Sequence, residues 1–553
     1  MMRRFVIGWL CLVLLSGAAG AQEDERARPG VSAPAETDIT LPEAFLEVEE
    51  LLIETIDAAL PQPPDLLLAT VSVPLPTEEE LRISDDLFDI PGPDEPGLRA
   101  EPAPGESSFF ADGVLGTGSN YHILGALSLY KLGADPRFRF EFSHESIDGY
   151  QFKDPGSGFF QREDTIEGWI TSGIAQRMQV EAEGRFLDRE EGLQGNPDFY
   201  SVGHRYLSGS TELRYAAGDR FDIGLGARGG LSERILTVKD DADPPREDEL
   251  YLRPTLWFAY SRPRSTYRLD GEYELRTFSD DNFDTLNSLT ASLSADVTLS
   301  DQLFADSALG VHWVGDDELL FPFRVGLGAN LDDQLSLGVS AGYRVRPQRF
   351  SDLWQRAPMI DFNSLTDRQP KPERAWFGRA NMALTTAERR LTLEAAAEYA
   401  LRSNAIELLA FDAQENRFPY GQTSLTTLSP QLGLTWRWRF LELGAGWEAA
   451  LIDRSVLDAA QSYRASADVV HPSQRFGAGV NSRMDVYDEP VVPRLGAGAF
   501  FKVTEGVQFE MELRDLLAPG MPDGRPQIGD SVSDGYPFIE PGLRLIVKAQ
   551  VSL

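Results

Sequence analysis

The thirteen residues that end the chain, Pro541-Gly542-Leu543-Arg544-Leu545-Ile546-Val547-Lys548-Ala549-Gln550-Val551-Ser552-Leu553, constrain its fold more than any other stretch. Every second residue from Leu543 to Leu553 is apolar, and the other row holds Arg544, Lys548, Gln550 and Ser552, with Ile546 as its one apolar member. Period two is the mark of a strand with one apolar and one polar face. The stretch is about as long as a tilted strand that crosses a bilayer, roughly 9–11 residues. Its charges sit mid-strand, where a wet interior tolerates them and hydrocarbon does not. This reading puts Arg544, Lys548 and Gln550 on the lumen side of a barrel and Val547 toward lipid.

The other end of the chain fixes the compartment. Arg3 and Arg4 precede an apolar run from Phe5 to Leu15, which closes in Ser16-Gly17-Ala18-Ala19-Gly20-Ala21. Residues 1–21 read as a secretory signal cleaved after Ala21. The single cysteine, Cys11, lies inside it, so the mature chain has no thiol for a disulfide or thiolate metal site. No stretch approaches 18 consecutive apolar residues, which excludes a helical span. A closed barrel is then the membrane-spanning structure left, because it satisfies every strand hydrogen bond without an edge.

Residues 22–106 differ in composition from the rest of the chain. From 22 to 108 there are 22 Asp and Glu against 4 Arg and no Lys, so this stretch carries −18 of the chain's −36. It also holds Pro61, Pro63, Pro64, Pro74, Pro76, Pro91, Pro93, Pro96, Pro102 and Pro104. Like charge with proline and few apolar residues predicts a mostly disordered acidic arm. Within it, Phe45, Val48, Leu52, Ile56 and Ala59 fall at helical spacing after Pro42, which predicts a short amphipathic helix over 42–60. The row Phe45, Val48, Leu52 and Ile56 is the candidate face for docking a periplasmic partner.

From 107 onward, turn chemistry recurs between alternating segments. Ten short turns are legible, among them Gly133-Ala134-Asp135-Pro136, Arg262-Pro263-Arg264, Arg439-Phe440-Leu441 and Thr504-Glu505-Gly506. Longer polar connections separate them, such as Asp188–His204, Lys239–Asp248, Pro347–Glu373, Asp412–Ser424 and Asp515–Phe538. Ten hairpins, an opening strand near Ser108–Gly116 and the closing strand sum to about 22. The fold expected is therefore all-β: a closed antiparallel transmembrane β-barrel of about 22 strands over 107–553, preceded by the arm. Short turns would face the periplasm, with the N-terminus, and long loops the outside. Trp436 and Trp438, on the apolar row beside a short turn, fit an interfacial aromatic girdle. Tyr343 ends the apolar row of the Leu335 strand near the opposite rim. No repeated unit points to a propeller or solenoid.

Little in the sequence supports bond chemistry. The G-x-G pairs Gly224/Gly226, Gly326/Gly328, Gly444/Gly446 and Gly496/Gly498 fall inside strand patterns, not between a strand and a helix, and read as small strand residues. His122, His144, His204, His312 and His471 lack metal-ligand spacing. No G-x-S-x-G occurs. Acidic runs such as Asp240-Asp241-Ala242-Asp243 and Asp316-Asp317-Glu318 read as solvated loop tips in preference to Ca²⁺ sites. No enzyme activity, cofactor or metal is expected, and the acidity excludes nucleic acid as a partner.

One stretch carries a family resemblance. Arg349-Phe350-Ser351-Asp352-Leu353-Trp354-Gln355-Arg356-Ala357-Pro358 is followed by Lys371-Pro372-Glu373. Leu513-Arg514-Asp515-Leu516-Leu517, Gly535-Tyr536-Pro537 and Pro541-Gly542-Leu543-Arg544 come later. In order and spacing these resemble the barrel of TonB-dependent outer-membrane receptors. There an R-A-P stretch precedes a loop, K-P-E starts the next strand, and P-G-R opens the last one. The residues that carry the resemblance are Arg356, Ala357, Pro358, Lys371, Pro372, Glu373, Pro541 and Gly542. It covers about the last two hundred residues and implies 22 strands. That family has a folded plug before the barrel, whereas this chain has the acidic arm.

The resemblance implies a transporter or channel in the outer membrane of a diderm bacterium, passing a solute or polymer through a lumen that selects by its lining. The alternative is a structural or assembly protein that uses the barrel as an anchor and the arm to recruit a periplasmic partner. The partners expected are membrane lipid, an unidentified solute and a periplasmic protein.

Overall fold

In the computed structural model the described residues are 107–553 except 134, 151–152, 195–198, 240–245, 281–282, 316–317, 333, 357–359, 361–369, 387–389, 409–418, 455–458, 487–492 and 518–540. The signal, the arm, its expected helix and the row Phe45, Val48, Leu52 and Ile56 lie outside them.

The described residues form one antiparallel sheet closed on itself. The first strand, β1 (Ser107–Gly118), pairs with β2 (His122–Gly133) on one side and with the last strand, β24 (Arg544–Ser552), on the other. Twenty-four segments make up 22 wall strands. Two segments, β12 (Glu318–Leu320) and β13 (Phe323–Asn330), both pair with β11 (Leu303–Val314) and are one wall strand interrupted at Pro322. Proline has no N–H to give to a ladder; its carbonyl still accepts from Gly310 N at 2.7 Å. Likewise β18 (Leu441–Ala449) and β19 (Leu451–Ile452) both pair with β17 (Tyr420–Trp438). The count agrees with the one read from the turns, and all ten short turns fall at one end of the barrel.

Alternation sets the two faces. Outward rows expose Leu289 and Leu293, Val325 and Leu327, and Val547 and Val551, each to about half of its surface. A continuous apolar belt of this extent on a water-soluble protein would drive aggregation, whereas lipid covers it without cost. Inward rows are polar and joined by ion pairs. Aromatic side chains mark both borders of the belt. At the short-turn end Trp436 stacks on Trp438 at 6.2 Å, and Phe221, Tyr260 and Tyr267 form a second group. At the other end Trp376 packs against Phe323 and Tyr343.

All four G-x-G pairs lie inside strands. Gly224 faces Trp257 across the ladder, and a Cβ there would come within 2.1 Å of the indole, so glycine is what lets this large ring lie flat against the inner wall.

Three expected loops are shorter than the sequence suggests. The strands β5 (Met178–Gly192) and β6 (Phe199–Ala216) consume both ends of Asp188–His204, β8 (Arg246–Arg262) enters Lys239–Asp248, and β17 starts at Tyr420, inside Asp412–Ser424. In the first case the reason is on the outer face. Above the apolar belt Arg205 lies 3.3 Å from Asp188 and 3.6 Å from Glu233, so the ladder continues past the lipid boundary with ion pairs in place of leucines. Polarity alone looks like a loop, although backbone pairing persists. A helix, α1 (Phe350–Arg356), also stands where only a loop was expected.

Candidate functional site

Of the segment between β14 (Leu335–Arg346) and β15 (Glu373–Thr385), the described residues 347–356 sit in the barrel mouth. Its helix α1 rests on residues from inward rows of β6, of β7 (Phe221–Val238), of β8 and of β9 (Ser265–Phe278). A charge network holds it there. Arg276 Nε lies 2.8 Å from Glu274, its Nη1 donates to Glu249 at 3.3 Å and to the carbonyl of Gln348 at 2.7 Å. Arg349 donates to both oxygens of Glu274, at 2.8 and 3.4 Å. The remaining oxygen of Glu249 accepts the backbone N–H of Ser351 at 2.9 Å, one of the first-turn donors a helix cannot satisfy itself. Glu249 is fully buried, and Glu274 and Arg276 nearly so. Charges removed from water this completely persist only when paired and hydrogen-bonded, as these are. Burial disfavours the charged form of Arg349, but the Glu274 carboxylate outweighs it and holds the guanidinium above its ordinary pKa.

An apolar cluster ties the same helix to more distant strands. Phe350, Leu353 and Trp354 pack with Phe283, Ile360, Ile406 and Tyr420. Phe350 is central, 6.1 Å from Phe278 and 5.8 Å from Tyr420 between ring centroids. Gln348 donates to the carbonyl of Asn404 at 3.2 Å. The helix is thus fastened both to β8 and β9 and to β16 (Leu391–Leu408) and β17, with the strands between them skipped. It forms a chord across part of the mouth. Trp354 sends its indole N–H to Ile360 O at 2.8 Å and its ring edge toward His204, 5.8 Å away, which in turn meets Ser232 at 2.9 Å.

The residues singled out by the family resemblance fall into three groups. Arg356 is the last residue of α1, and Ala357 and Pro358 lie outside the described residues. Lys371, Pro372 and Glu373 anchor the return of the loop. Gln422 bonds both the N–H and the carbonyl of Lys371, at 3.0 and 2.8 Å, and Asn404 donates to Pro372 O at 3.1 Å. Glu373 opens β15 and takes two bonds from Arg402, at 3.0 and 2.7 Å. At the last strand Pro541 O accepts from Asn120 at 3.1 Å, and Gly542 adopts φ +79°, which glycine reaches without strain. Arg544 lies 2.7 Å from Asp515, and Lys548 is 2.7 Å from Glu512 and 3.4 Å from Glu510. Gln550 lies on the same face of β24, opposite Val547 and Val551.

Sequence reasoning missed Glu249, Glu274, Arg276 and the cluster around Phe350. A faint signal existed: Glu272, Glu274 and Arg276 continue a charged inward row to within two residues of the end of β9, where a loop-facing strand tip has no need of paired charges.

The closed 22-strand sheet has counterparts among solved structures. It is similar to the copper transporter OprC, at 13% identity over 82% of each chain with a TM-score of 0.62. It is similar to the siderophore receptor PiuA from Acinetobacter baumannii, at 12% identity over 81% of this chain and 82% of that one with a TM-score of 0.62. A ferric enterobactin receptor mutant (PfeA) from Pseudomonas aeruginosa is similar at 9% identity over 81% of each chain and a TM-score of 0.61. No family model matches the chain, and no curated protein does. At such identities the likeness establishes one thing: this chain has the barrel fold of those outer-membrane receptors and transporters.

Proposed function

We propose that this protein passes a solute across the outer membrane of a diderm bacterium, as a relative of TonB-dependent receptors whose plug domain is replaced by the acidic arm. The observation that carries the reading is the closed sheet with an apolar outer belt and an ion-paired inner wall, partly spanned by a loop anchored through buried charges. Such a lumen selects by size and charge without making bonds. The likeness to a copper transporter and siderophore receptors supports transport as the class. The replaced plug rests on composition: 22–106 has like charge and proline throughout and too few apolar residues to build a packed core. The orientation with short turns and N-terminus in the periplasm rests on the secretory signal and on all ten short turns sharing one end.

The deciding experiment reconstitutes the full chain in a planar bilayer and in liposomes loaded with small sugars. Discrete conductance and solute release are expected. A correctly folded, heat-modifiable barrel that neither conducts nor releases solute would leave it as an anchor.

A further inference from the structure

Beneath α1, on the inner wall formed by β4 (Phe160–Ala175), β5 and β6, lies a cavity of about 220 Å³. Its polar lining is mostly charged, and of both signs. Glu163 and Arg189 are direct partners in the β4–β5 ladder, on the lumen side, where opposite charges ordinarily join. They do not. Among the described residues Glu163 forms no ion pair, while Arg189 reaches toward Glu191 and stops at 3.9 Å, beyond hydrogen-bond length. His204, level with Arg189 on β6, and Trp354 from α1 close the far side, and Leu187 and Val202 supply apolar walls.

We propose that this cavity binds a small zwitterionic solute, of the class of free amino acids and short peptides, during its passage through the lumen. The inference rests on the proposed transport function and names the class of solute for it. A split pair of opposite charges around a void attracts one end of a singly charged molecule and repels it at the other. A molecule with an ammonium and a carboxylate gains at both, Glu163 facing the ammonium and Arg189 the carboxylate. The volume lies below the range of pockets for drug-sized ligands, which limits the occupant to a few non-hydrogen atoms per charge. The apolar walls and the indole edge exclude water from one flank, which strengthens both contacts.

The test is calorimetric titration of the detergent-solubilised full chain with L-alanyl-L-alanine and with the same dipeptide acetylated and amidated at its ends. The free dipeptide should bind and the blocked one should not. Glu163→Gln and Arg189→Gln should each weaken binding by about tenfold or more. Arg464→Gln, on a distant strand, should leave it unchanged. Equal binding of the two dipeptides, no binding of either, or unaltered affinity in heat-modifiable Glu163→Gln would overturn the proposal. A barrel that conducts yet ignores the dipeptide overturns this inference alone; one that does not conduct overturns the transport reading.

Discussion

Arg514 and Glu145 meet across the closing seam of the barrel, Nη1 to Oε1 at 3.1 Å, although 369 residues separate them in the chain. Arg514 ends β23 (Val507–Arg514) and Glu145 lies in β3 (Arg137–Asp148), so the pair passes over β24, β1 and β2. On β1 between them, a Cβ at Gly116 or Gly118 would meet Leu124 or the carbonyls of Val547 and Leu545 at 3.0 Å or less. Glu145 also accepts from His122, which is fully buried, at 2.9 Å.

The two partners should therefore differ in cost. Arg514→Ala removes this ion pair and the one Arg514 makes with Glu512 at 2.7 Å, both partly exposed and each worth about 0.2–1 kcal/mol. Glu145→Ala additionally strands the buried His122 ring, at about 1–3 kcal/mol. Thermal unfolding in detergent micelles measures both, and equal destabilisation would mean that His122 does not depend on Glu145.

The loop network yields a second prediction. Glu249→Ala leaves Arg276 with Glu274 as its remaining carboxylate and Ser351 N–H without an acceptor. Removing one member of a buried pair costs about 3–5 kcal/mol, here drawn from the docking of α1 and not from the barrel. The barrel should stay heat-modifiable, trypsin should cut within 349–371 more readily, and conductance should rise. Unchanged proteolysis and conductance would show that the aromatic cluster around Phe350 holds the helix without the charges.

This division between barrel and loop explains what was legible in the sequence. Val547, Val551 and the Trp436–Trp438 pair could be placed because a strand's two faces meet two different solvents, and that contrast repeats every second residue. The turns were legible because their chemistry is local. The docking of α1 was not, because Arg276 finds Gln348 72 residues away and Glu249 finds Ser351 102 away, and no periodicity encodes such meetings. Lys548 shows the limit within one strand. The alternation gave its face, but not its two carboxylate partners, Glu510 and Glu512. Lys548→Gln, which keeps a polar residue on that face, breaks both.

The last strand separates lipid from lumen in one comparison. Val547→Arg places a charge in the apolar belt and should cost about 2–4 kcal/mol if it sits near the bilayer midplane. Gln550→Ala, on the opposite face, should stay within about 0.5 kcal/mol, as surface changes do. Lys548→Gln should fall between them. Urea unfolding of barrels refolded into lipid vesicles gives the ranking, and a costlier Gln550→Ala than Val547→Arg would reverse the assignment of faces.

The arm supplies the final prediction. A 22-stranded sheet encloses more space than its own side chains fill, so something beyond them limits flow. The inward loop with α1 is one such element, anchored on both sides of the mouth. The arm is the other candidate, and electrostatics oppose it. Residues 22–108 carry −18 and the rest of the mature chain about −20, so entry of the arm would bring like charges into a confined, partly desolvated space, where screening is weakest. We therefore propose the arm as a docking segment, with Phe45, Val48, Leu52 and Ile56 as its contact row. Deleting residues 23–105 should leave planar-bilayer conductance nearly unchanged, whereas removing 348–371 should raise it. The opposite pattern, a large increase on deleting the arm and none on deleting the loop, would make the arm the plug and the loop a bystander.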